Sequence, residues 1–238
     1  MVPWFTLRRP ATDPPHLGRR GHDFPVMRIE LHEIMPDVLP LLGQCALANL
    51  QQFQFLASVS ARATSIQAQQ VVANAAARAL AKNQEIVAEI RHLDGAPDEL
   101  LSHYVPEWTA LMSVLERPNW RESLLSAIIT GGLLDDFFLA LAGNLAQDMR
   151  SRVVPIVASE TGRDALLELL QSELAADSSC ASVMALWGRR LVGDTLLVAR
   201  SVLHLSGNPR SDEKDTLPIF TELIAAHTRR MDALGLTA

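Results

Sequence analysis

Lysine is nearly absent from this chain of 238 residues: Lys82 and Lys214 are the only two among 21 basic side chains, a pattern of Arg-rich and Ala-rich codon usage. Cysteine is as scarce. Cys45 and Cys180 stand alone, without CxxC spacing; two thiols cannot frame a disulfide scaffold, and a reduced, cytoplasmic protein is expected. No run of about 20 uncharged apolar residues occurs, which argues against a membrane span or membrane partner, and the first residues lack the apolar core of a secretion signal. There is no Gly-rich phosphate loop, no GxSxG elbow and no nucleophilic Cys/His arrangement, so the familiar nucleotide-cradling and acyl-transfer chemistries have no foothold. The net charge of −6 does not favour a polyanion as a general partner.

What is present is a chain 48% hydrophobic but only 5% aromatic, rich in Ala and Leu and poor in β-branched runs. That composition predicts an all-α fold with one sizeable core. Residues 1–30 hold five prolines and five arginines with little periodicity. They read as a tail, as a basic arm for an acidic partner, or as an upstream extension of a protein starting at Met27; residues 31–238 form the expected helical domain.

Apolar periodicity places a first helix at about 37–62 and a second at about 65–93, ended by Asp94-Gly95. A segment of about 25 residues, interrupted by Pro97, Pro106 and Pro118, then reads as short helices in a long crossover. A third helix is expected from 119 or 120 to about 146, a fourth over 150–175, a fifth over 180–205 on the outside, and a last over 216–233. The Gly131-Gly132 pair costs about 1 kcal/mol per residue against Ala, and predicts a close helix contact or a kink beside Asp136.

In each of the first four helices the apolar stripe is broken near its middle: Asn49, then Lys82 with Glu85 one turn on, then Asp136, then Glu160 with Arg163. In an antiparallel bundle these midpoints fall at one level. No histidine lies among them.

The order of helices and the stretches GGLLDDFF, SETGR and above all LWGRRLVGDTLLVARSVL resemble actinobacterial ferritin-like proteins similar to the tRNA hydroxylases that act on 2-methylthio-isopentenyladenosine. The resemblance spans roughly Leu39 to Leu205. It implies a four-helix bundle with one long crossover plus additional C-terminal helices, and a two-metal centre built from inward carboxylates and histidines. Intact members carry a Glu in the first helix, Glu-x-x-His in the second, an acid in the third and an acid followed by x-x-His in the fourth. Asn49 falls at the first Glu, Lys82 and Glu85 at the first Glu-x-x-His, Asp136 at the third-helix acid, and Glu160 with Arg163 at the last pair. A one-turn slip of the second helix brings in Glu89 and His92 instead.

Lys82 and Arg163 are donors only and cannot ligate a metal while protonated. Buried charges need partners, so these cations are expected to neutralise Asp136 and Glu160 in a core salt-bridge cluster of Lys82, Asp136, Glu160 and Arg163 that replaces the metal. The alternatives are that the cations snorkel to solvent, or that a working metal site forms from Glu85, Asp136, Glu160 and a slipped histidine.

Asp135 is expected in solvent or in an ion pair, since neighbouring helical residues diverge by about 100°. His92 and His103 lack ligand spacing. Trp187 reads as core, or with Arg189 and Arg190 as an RNA-stacking patch; Asp194 reads as a partner of the site or a cap for Arg163.

The leading functional expectation is a ferritin-like bundle with an eroded metal site, requiring no cofactor and acting through association with another copy or a ferritin-like relative. The alternative is a non-haem di-iron hydroxylase or oxidase with two iron ions and, by the resemblance alone, tRNA as substrate. A DNA-binding regulator ranks last, because residues 37–61 carry no Lys or Arg, where a basic helix-turn-helix needs them.

Overall fold

A computed structural model describes residues 37–205 and 213–236. Residues 1–36, and with them the expected extension, lie outside the described residues. Nine α-helices and no strands are present among those described: α1 Val38–Arg62, α2 Ile66–His92, α3 Pro97–Ser102, α4 Val105–Leu115, α5 Trp120–Ala142, α6 Gln147–Val157, α7 Arg163–Ala176, α8 Ala181–Leu205 and α9 Glu213–Ala233.

Local chemistry sets the ends. Ser65 caps α2 by accepting from the Ala68 N–H at 3.1 Å, and Asn119 caps α5 by accepting from the Arg121 N–H at 3.0 Å, each satisfying a first-turn amide that the helix leaves open. At the end of α2, Asp94 takes a left-handed conformation, φ 58°. Gly95 then donates back to the Ile90 carbonyl at 2.9 Å, stopping the helix as the Asp-Gly pair predicts.

α1, α2, α5 and the α6–α7 pair form the bundle, with α3 and α4 in the crossover between α2 and α5. The hydrogen bonds from Arg62, at the end of α1, to the Arg117 carbonyl at 2.7 Å and the Ser123 hydroxyl at 3.1 Å place the start of α5 beside the start of α2. The crossover therefore returns the chain so that α2 and α5 run the same way. At the opposite orientation, Glu173 near the end of α7 meets Arg121 near the start of α5 at 2.6 Å.

α5 is buried on most of its circumference because α1, α6 and α7 cover one side while α8 and α9 cover the other. It is the one described helix long and apolar enough to cross a membrane, and 72% of its apolar window is buried in this packing. The expected outward position of the helix over 180–205 is borne out: α8 lies on α5, away from α1 and α2.

The fourth bundle helix is not continuous as expected over 150–175. It breaks between Val157 and Arg163. Gly162 has φ 78°, a left-handed conformation that non-Gly residues rarely adopt. A Cβ there would also lie 3.1 Å from that of Ala75 on α2. Pro155 sits in the last turn of α6, just ahead of the break.

Candidate functional site

The four polar interruptions do not converge equally. Lys82 is 3% exposed, and its Nζ donates to Asp135 Oδ1 across the bundle at 3.1 Å. Arg163, the first residue of α7, donates to the other oxygen of Asp135 at 2.8 Å and lies 3.8 Å from Asp136. Asp135, expected in solvent or in some ion pair, is thus the hub. Asp136 reaches Arg163 only at the longer distance and takes its main partner from α9, where Arg230 donates to it and, at 2.9 Å, to the Gly132 carbonyl.

Three expected residues do not join this charged cluster. Glu160 is in the turn between α6 and α7 rather than on a bundle-facing stripe; its exposed carboxylate pairs with Arg78 and accepts from the Gly162 N–H. The break explains this, because the helical phase that would have aimed it inward ends at Val157. Glu85 is on the exposed face of α2. Asn49 is buried, but its amide donates to the Cys45 carbonyl of its own helix at 2.8 Å and meets no charge. Under the one-turn slip, Glu89 faces Arg152 of α6 at 3.0 Å and His92 is exposed. Asp194 is 3.8 Å from Arg190 on its own helix, not a cap for Arg163. Trp187 is core: its ring N–H donates to Ser126 at 2.8 Å and Arg117 lies 4.6 Å from its centroid.

The two glycines of α5 make the layer possible within an unbroken helix. A Cβ at Gly131 would come within 2.7 Å of Gln52 Nε2, and one at Gly132 within 2.7 Å of Arg230 Nε. Each glycine therefore admits a polar side chain from a neighbouring helix: Gln52 of α1, bonded to the Ala127 carbonyl at 3.2 Å, and Arg230 of α9.

Arg230 was not among the residues the sequence singled out. The signal was available, since His227 and Arg230 interrupt a stripe running from Leu223 to Leu234 just as Lys82 interrupts that of α2. Burial lowers the affinity of the Arg230 guanidinium for its proton, and Asp136 opposes that effect. Burial pushes the Cys45 thiol up to about 12, which keeps it protonated and unreactive.

Beside this layer a partly open space of about 40 Å³ lies among Asn49, Gln52, Ala75, Ala79, Ile128 and Asp135. It is large enough for water but not for a base-sized substrate. A second space of about 250 Å³ opens to solvent over Lys82, Asp135, Asp136, Glu160 and Arg163, with the α6–α7 turn as its rim.

A two-metal centre needs carboxylates from facing helices and imidazole nitrogens. Here the layer's carboxylates are neighbours on one helix, and their oxygens are held by guanidinium and ammonium groups. Among the described residues no three His, Cys, Asp or Glu side chains group so as to hold a metal ion. The donor set does not fit the metal centre.

An antiparallel bundle with one long crossover and a polar mid-layer is the architecture of the ferritin-like class. A family model for the actinomycete ferritin-like domain matches residues 34–206. The chain belongs to that family. No curated protein matches it.

Proposed function

We propose that this protein is a non-catalytic ferritin-like bundle, working in the cytoplasm without a metal, in which cations stand where relatives with an intact site hold metal ions, and that it acts by associating with another helical protein. The observation that carries this is the double occupancy of Asp135 by Lys82 and Arg163. A metal ion would have to displace both, and Lys82 would then be left as a buried, unpaired ammonium, a cost of several kcal/mol. With its carboxylates neutralised and a space of only about 40 Å³ beside them, the layer serves as a polar lock between helices.

The test is the metal content of protein expressed in iron-, manganese- and zinc-supplemented medium, measured by mass spectrometry. Sub-stoichiometric metal is the expected result. About two equivalents of iron or manganese per chain would overturn the proposal and make the di-iron hydroxylase, with tRNA as the substrate to try first, the working reading.

A further inference from the structure

We propose that the outward face of α8 is a self-association surface on which a second copy of this chain packs its own α8 in antiparallel orientation. This rests on the association reading above and gives it a partner and a geometry. The inner face of α8, with Met184, Trp187, Leu191 and Thr195, is buried against the bundle. Its outer face carries Val183, Leu186, Arg190, Gly193 and Leu197, at spacings of three and four that form a seam of the coiled-coil kind. Val183, Leu186 and Leu197 are 52%, 65% and 67% exposed, three of the eight large hydrophobic side chains left exposed among the described residues. A stripe of this length, about 22 Å, is more than scattered surface leucine.

The identity of the partner follows from self-complementarity. In an antiparallel pair Leu186 of one copy lies opposite Leu197 of the other, twice over. Arg190 then lies over Gly193 of the other copy, where a Cβ would meet nothing within 4 Å, and beside its Asp194, whose own Arg190 is a loose 3.8 Å away. A parallel pair instead sets Arg190 against Arg190. Two helix faces alone fall short of the roughly 1,200 Å² of a stable complex. Two of the helices touching α8 each add an exposed apolar residue, Val114 of α4 and Ile224 of α9, and a two-fold axis doubles both contributions.

The experiment is light scattering on the full chain from 1 to 100 µM, with Leu186→Glu plus Leu197→Glu as the disrupting variant and circular dichroism to check folding. A species of twice the 26.1 kDa chain mass is expected, with dissociation raised at least 100-fold in the folded variant. Register is read by cross-linking in a Cys180→Ser background: Leu186→Cys mixed with Leu197→Cys should link under mild oxidant, while neither links to itself. A monomer throughout, a dimer indifferent to the two glutamates, or self-linking of either single cysteine overturns the proposal. So does a monomer that dimerises only after removal of residues 1–36, which would make that segment the occupant. Bound iron in a protein that still dimerises through α8 would instead sink the metal-free reading and leave this surface standing.

Discussion

Asp135 and Asp136 are adjacent on α5, yet they belong to different halves of the molecule. Asp135 faces the four-helix bundle and is held by Lys82 from α2 and Arg163 from α7; Asp136 faces α9 and is held mainly by Arg230. The difference follows from the 100° per residue of a helix acting on a helix covered nearly all round. It teaches that a polar layer in a bundle need not point to one centre: here one half locks the bundle and the other fastens the C-terminal helix to it. The halves also differ in exposure, the carboxylate side chains being 22% and 32% exposed while Lys82 is 2%.

The largest effect should come from breaking the bundle half. Asp135→Ala leaves the Lys82 ammonium buried without its partner and should cost about 3 kcal/mol of unfolding free energy, read by urea titration. Replacing both charges with apolar groups, Lys82→Met plus Asp135→Leu, should recover most of that loss, since a buried pair is worth little more than an apolar replacement of similar size. If the double variant were as unstable as Asp135→Ala, the layer would be doing more than neutralising itself.

Breaking the α9 half should cost less and act locally. Arg230→Ala removes the bonds to Asp136 and the Gly132 carbonyl, each charge-assisted bond being worth about 1.5–3 kcal/mol before solvent takes over at the partly exposed Asp136. Hydrogen exchange should speed up in α9 while α1 and α2 keep their protection. Gly132→Ala, whose Cβ would lie 2.7 Å from Arg230 Nε, should reproduce that local loosening. Gly131→Ala would instead push the Gln52 amide off the Ala127 carbonyl and should leave α9 unchanged.

The two halves were not equally legible in the sequence. Apolar periodicity located the bundle helices and the crossover to within a few residues, and the stripe interruptions at Lys82, Asp136 and Arg163 marked three members of the charged layer. Asp135 reads as solvated or ion-paired on the rule of one inward face per helix, which holds for a surface helix and not for α5. The break before Arg163 was written in Pro155 and Gly162, but the apolar stripe runs on through it at nearly helical phase, and stripe counting favours continuity. Arg230 lies 94 positions from Asp136 along the chain, in a helix whose place against α5 no local pattern encodes.

The smallest effect expected concerns His227, one turn before Arg230 on α9. It is buried, its Nδ1 has no hydrogen-bond partner among the described residues, and its pKa lies below the ordinary 6.5, first because of burial and then because of the Arg230 charge. The folded protein therefore keeps His227 neutral at pH values where the unfolded chain has already taken up a proton. Since the unfolded state binds more protons in that interval, stability is fully retained above about pH 6.5 and declines as pH falls from 6.5 towards the lowered folded value. The measurable consequence is a slope in unfolding free energy on the acid side of pH 6.5 that His227→Gln flattens. Because a charged His227 would stand beside Arg230, the same acid range should speed exchange in α9 before it touches α1 and α2. Acid that loosened both halves together would show that α9 and the bundle open as one unit, and the separation drawn between Asp135 and Asp136 would fail.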